Sequence, residues 1–114
     1  MGQYRDLKAF RMAVALAHGL HPVVRAWPHF ERSTLGMQLI RAADSIGANI
    51  AEGYGRWHRP DQRRYLYIAR GSLDETQYWL ARARAHGLID QATVDQAEDL
   101  GKVLNGLINA HART

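Results

Sequence analysis

The sequence predicts an all-α protein, an antiparallel up-down-up-down four-helix bundle formed as a single domain over residues 1–114. Apolar residues recur at three- and four-residue steps in four successive segments, the spacing that lines one face of a helix. Proline occurs only at 22, 28 and 60, near the segment ends, and no stretch alternates apolar and polar residues as a half-buried strand does. A chain of 114 residues is long enough to bury one core without covalent staples.

The first segment, Arg5 to Val24, places Leu7, Phe10, Val14, Ala17, Leu20 and Val24 on one stripe, and Pro22 is expected to end or kink it. In the second, Ser33 or a neighbour is expected to cap a helix running to Glu52 with Leu35, Leu39, Ala42, Ala43, Ile46 and Ile50 inward. Gly53 and Gly55 then stop it. The third starts with Pro60 in its first turn, carries Leu66, Ala69, Leu73, Thr76, Leu80 and Ala83 inward, and ends at Gly87. Asp90 caps the fourth, whose Val94, Ala97, Leu100, Leu104, Leu107 and Ile108 repeat on one face toward Ala112. Short connections between helices of this length require antiparallel neighbours.

Composition narrows the function. With no cysteine there are no disulfides, thiolate metal sites or cysteine nucleophiles. His18 and His21 stand at i, i+3 without a third ligand, and no glutamate is followed three residues on by histidine as in a di-iron bundle, so no metal is expected. Gly53-Tyr54-Gly55 lacks the rest of a phosphate loop, and Ser33, Ser45 and Ser72 lie in no nucleophile motif. The expectation is a protein that binds, with neither catalytic activity nor a cofactor. The polar start, Met1 to Lys8, and the short apolar run Met12 to Ala17 hold no secretion signal or membrane span, so the cytoplasm is the expected location.

Charge is unevenly spread. Residues 1–70 hold 11 Lys+Arg against 5 Asp+Glu, whereas residues 71–114 hold 4 against 6. The basic half contains the connector from Gly53 to Tyr67, with Arg56, Trp57, Arg59, Arg63, Arg64 and three tyrosines. Arg59, Arg63 and Arg70 fall within about 40° on the third helix, at 100° per residue. Arginine neutralises phosphates and an unpaired base stacks on Trp or Tyr, so the pattern points to single-stranded or looped nucleic acid. Equally, the aromatics can anchor the loop to the bundle end while the arginines pair with Glu52, Asp61 or Asp74.

Two further sets stand out. Gln38, Ser45, Asn49 and Glu52 on the second helix and Ser72 and Glu75 on the third are expected to form a structural polar network, because buried carboxylates need partners. Tyr67, Gly71 and Tyr78 lie opposite the leucine stripe of the third helix, where a monomer normally shows charge, and suggest a homo-oligomer interface. Isolated surface tyrosines need no partner, which is the other reading.

Ala42-Ala43-Asp44-Ser45-Ile46-Gly47-Ala48-Asn49-Ile50-Ala51-Glu52-Gly53 and Tyr65-Leu66-Tyr67-Ile68-Ala69-Arg70-Gly71-Ser72-Leu73-Asp74-Glu75-Thr76 resemble the two signature stretches of bacterial four-helix bundle proteins encoded in 23S ribosomal RNA intervening sequences. The resemblance extends from Tyr4-Arg5-Asp6-Leu7 through the Trp27-Pro28 turn, where that family more often has Phe before Pro. It implies a cytoplasmic homopentamer without enzymatic activity, associated with ribosomal RNA. The chain is also similar to accessory proteins of diversity-generating retroelements, which implies nucleic acid or a reverse transcriptase as partners. Two functions are therefore expected: a homo-oligomeric RNA-binding module, or an adaptor that docks a protein such as a polymerase through the same basic surface.

Overall fold

A computed structural model describes residues 3–113. A short 3-10 turn, Tyr4–Asp6, leads into α1, Lys8–Arg25. Helix α2 spans residues 29–54 as a first turn His29–Glu31, a π-helical turn Arg32–Gly36 and a regular stretch Met37–Tyr54. Helix α3 is Arg59–Ala85 and α4 is Gln91–Ala112. No strand occurs among the described residues.

Each helix packs on its neighbours in sequence, α4 closes against α1, and among the described residues the backbones of diagonal pairs do not approach as closely. With connections this short, that cyclic order is a four-helix bundle of antiparallel neighbours, elongated to 46 × 21 × 20 Å. One end holds the α1–α2 and α3–α4 turns, around Trp27. The other holds the α2–α3 connector, around Trp57.

The core runs the length of the bundle through Leu16, Leu20, Leu39, Ile46, Ile50, Leu66, Leu73, Leu80, Leu100 and Leu104, all nearly inaccessible to water. All six residues expected to face inward on the third segment are buried. Pro60 sits in the first turn of α3, and Gly87 ends the α3 exit with φ +72, a conformation that favours glycine. Asp90 caps α4 through a hydrogen bond from the Thr93 amide, 3.0 Å. That bond, with the one from the Thr93 hydroxyl, holds the Asp90 carboxyl below its usual pKa.

Three expectations are corrected. Helix α1 does not end at Pro22; it continues to Arg25, with the proline exposed and Leu20 and Val24 on either side of it buried in the core. Helix α2 starts after Pro28, ahead of Ser33, whose hydroxyl donates instead to the His29 carbonyl at 2.8 Å. The inward face of α1 is also turned: Ala9, Ala13 and Leu16 are buried, whereas Val14 is 46% exposed. Alanine lets helices approach closely, and Phe10 and Val14 then cover the groove from outside. A Cβ on Gly47 of α2 would lie 3.6 Å from the Phe10 ring and 3.7 Å from a Val14 methyl.

The π-helical turn ends where α2 meets the end of α1. A Cβ on Gly36 would lie 2.6 Å from Val24 Cγ1, 3.3 Å from the Glu31 carbonyl oxygen and 3.5 Å from the Trp27 ring, so a larger residue would force α2 and the end of α1 to shift. Trp27 is buried and donates its indole N–H to the Leu88 carbonyl at 3.0 Å, tying the two turns at this end together. Phenylalanine at that position has no such donor.

Candidate nucleic-acid interface

Gly53, buried at the last turn of α2, sets the connector's geometry. A Cβ there would lie 2.9 Å from Tyr65 Cβ and 3.1 Å from the Gln62 carbonyl oxygen, so the backbone of α2 rests directly on the start of α3. Gln62 Nε2 donates to the Arg56 carbonyl at 2.9 Å, which holds the loop across that junction. The loop thereby projects Trp57 outward, 90% exposed. Tyr54, Gly55, Arg56, Trp57 and Gln62 surround a shallow cleft of about 310 Å³. Partial burial raises the Tyr54 phenol pKa, and nearby Arg59 offsets part of that rise.

The arginines expected to act together divide into two groups. Arg56 donates to Glu52 at 2.7 Å and to the Tyr65 hydroxyl at 2.8 Å, and its guanidinium lies over the Tyr65 ring. Arg59 donates to the His111 carbonyl at 2.7 Å, clasping the C-terminal end of α4, where helix carbonyls favour a cation. Arg63, half-buried, also acts electrostatically on His111. Arg64 and Arg70 remain exposed, lying over the rings of Tyr65 and Tyr67 at 4.8 and 5.1 Å. Thus the helix angle that aligned Arg59, Arg63 and Arg70 does not make one outward row: α4 engages the first two, and Arg70 leans on Tyr67.

His111 was not anticipated in this region. It lies seven residues after Leu104 on the inward face of α4, so the repeat could have located it. Its Nε2 is 3.1 Å from Gln62 Oε1. Burial, then the charges of Arg59 and Arg63, lower its pKa below the ordinary 6.5. The unfolded chain therefore takes up a proton more readily, and this site destabilises the fold as pH falls below 6.5. Above that value both states are neutral and the effect vanishes. Denaturant titrations across this range are expected to show the decline, and His111→Gln to flatten it.

The polar network takes a different form from the one expected. Ser45 donates to the Ala42 carbonyl at 2.9 Å and Asn49 to the Ser45 carbonyl at 2.8 Å. Glu75 accepts from Trp79 Nε1 at 3.1 Å, and the Ser72 carbonyl accepts from the buried Thr76 hydroxyl at 2.8 Å. All these bonds stay within one helix. Among the described residues none joins the α2 set to the α3 set: Gln38, Glu52 and Glu75 lie on the exposed side, and Glu52 takes Arg56 of the connector as its partner instead. Tyr67 and Tyr78 are exposed, and Gly71 has open space where a Cβ would stand. No cluster of three or more metal-ligating side chains occurs among the described residues, and no described helix is long and apolar enough to cross a membrane.

A family model described as 23S rRNA-intervening sequence protein matches residues 5–110. Among solved structures, the chain is similar to a protein of unknown function from the S23 ribosomal protein family of Bacteroides thetaiotaomicron VPI-5482, with a TM-score of 0.80 and 23% identity. The alignment covers 89% of this chain and 95% of that one, and at this identity the likeness is one of fold. Among curated proteins no match is found.

Proposed function

Since the chain belongs to the family of 23S rRNA-intervening sequence proteins, we propose that it is a non-enzymatic, cytoplasmic homo-oligomer that binds RNA at the Trp57 end of its bundle. The observation that carries this reading is the 90% exposure of Trp57 on a loop held by buried Gly53, with Arg64 and Arg70 exposed on the helix that follows. An exposed indole beside exposed arginines offers an unpaired base a flat face on which to stack. Arg64 and Arg70 are the phosphate contacts. Arg56, Arg59 and Arg63 add positive potential while holding the connector and α4 in place.

The test is binding of oligouridylate at several salt concentrations. Trp57→Ala is expected to weaken binding by about 1–3 kcal/mol, the usual worth of a stacked base. Arg64→Glu with Arg70→Glu is expected to abolish most of the remainder, and each lost phosphate contact reduces the salt slope by about 0.7. Affinity at low salt that all three substitutions leave unaltered rejects the reading. An adaptor docking an acidic protein on the same surface would instead retain its partner after nuclease digestion.

Tyr67, Gly71 and Tyr78 form the proposed subunit contact, and repetition of the Trp57 end around an assembly, pentameric in our reading, would turn weak contacts into avidity. Gly71→Ala separates the possibilities. In a lone subunit the methyl enters open space, and removing a mid-helix glycine stabilises α3 by about 0.5–1 kcal/mol. If copies pack on this face, the same methyl drives them apart, and light scattering is expected to show a smaller assembly.

A further inference from the structure

The start of α2 and the end of α3 form a groove of about 570 Å³ near the Trp27 end, within the range of roughly 300–1,000 Å³ typical of small-ligand pockets. Phe30, Leu35, Met37 and Trp79 supply its apolar lining, Arg41, Arg82 and His86 its basic groups, and Glu31 is the one carboxylate among the lining residues. Phe30 is 70% and Met37 48% exposed, so the bundle leaves large apolar surface here in water. None of Arg41, Arg82 and His86 makes an ion pair or side-chain hydrogen bond among the described residues.

The π-helical turn contributes one wall through Ser33, Thr34 and Leu35, and such turns recur at functional sites. The hydroxyls of Ser33 and Thr34 already donate to the carbonyls of His29 and Phe30, at 2.8 and 2.7 Å. Ligand recognition by charge therefore falls to the two arginines and His86. We propose that this groove binds a small amphipathic anion: a compact aromatic or branched-alkyl body against Phe30, Met37 and Trp79, with one acidic headgroup held by Arg41 and Arg82. Guanidinium groups hold carboxylate, sulfonate or phosphate by charge-assisted, often bidentate hydrogen bonds. Three basic side chains against one carboxylate in the lining favour an anionic occupant. The proposal does not depend on the RNA-binding reading.

Anilinonaphthalene sulfonate and its uncharged parent, anilinonaphthalene, test it by fluorescence titration of the full chain. Saturable binding of the sulfonate is expected, and Arg41→Gln with Arg82→Gln should weaken it about tenfold or more, through loss of charge-assisted hydrogen bonds, while the uncharged parent is little affected. Phe30→Ser should weaken both probes. Circular dichroism checks that the variants, all at exposed positions, stay helical. Equal effects of the arginine changes on both probes, or none, would overturn the proposal. Displacement of the probe by oligouridylate would also overturn it, by making the groove part of an RNA surface. So would a change of assembly size in Phe30→Ser with probe binding intact, which would make the groove a subunit contact.

Discussion

Replacing Leu73 by alanine is expected to lower the unfolding free energy by about 2–5 kcal/mol, the cost of removing a large aliphatic side chain from a close-packed core. Leu73 is 1% exposed, on the α3 stripe that faces the bundle axis. A domain of this size has roughly 5–15 kcal/mol in all, so the change removes a large share of it. The urea midpoint should fall with an unchanged slope. Gly101 of α4 offers a matched control, because a Cβ there would sit 3.5 Å from Leu73 Cδ2, ordinary contact. Gly101→Ala alone should stabilise α4 by up to about 1 kcal/mol. Combined with Leu73→Ala, its methyl faces the vacated space, and the double variant should be more stable than the two separate effects predict.

Gly53→Val is expected to be nearly as damaging, toward the upper end of about 1–3 kcal/mol for overpacking. Its Cβ would stand 3.1 Å from the Gln62 carbonyl oxygen, and a backbone atom in the first turns of a helix cannot swing aside as a side chain can. The start of α3 must then move from α2, carrying Tyr65 away from Arg56 and Gln62 from the loop it holds. RNA affinity should fall together with thermal stability if the Trp57 end is the binding surface. Gly55→Ala, whose nearest neighbours would be 3.5 Å away, should leave both almost unchanged.

The contrast between these two glycines explains how far the site could be read from residues alone. Gly53 and Gly55 looked like equivalent helix terminators; one proves to be a point of contact between two backbones. Likewise, Arg56, Arg59, Arg63, Arg64 and Arg70 formed one basic set in the sequence. Contacts with Glu52, Tyr65 and the end of α4 divide it, and those partners lie up to 52 residues away in the chain. The groove between Phe30 and Trp79 had no signal beyond two aromatics left over from the helical stripes.

What the sequence by itself determined is the all-helical class, the four segments, the inward faces of α3 and α4, the Asp90 cap and the family resemblance. These follow from local rules: side chains three or four residues apart share a helix face, and a cap bonds within its own turn. Only the tertiary structure decided the rotation of α1, the continuation of that helix through Pro22, the π-helical turn at Gly36 and the division of the arginines. Each depends on how closely two helices approach and which side chain then covers the gap, and the spacing within one helix does not contain that distance.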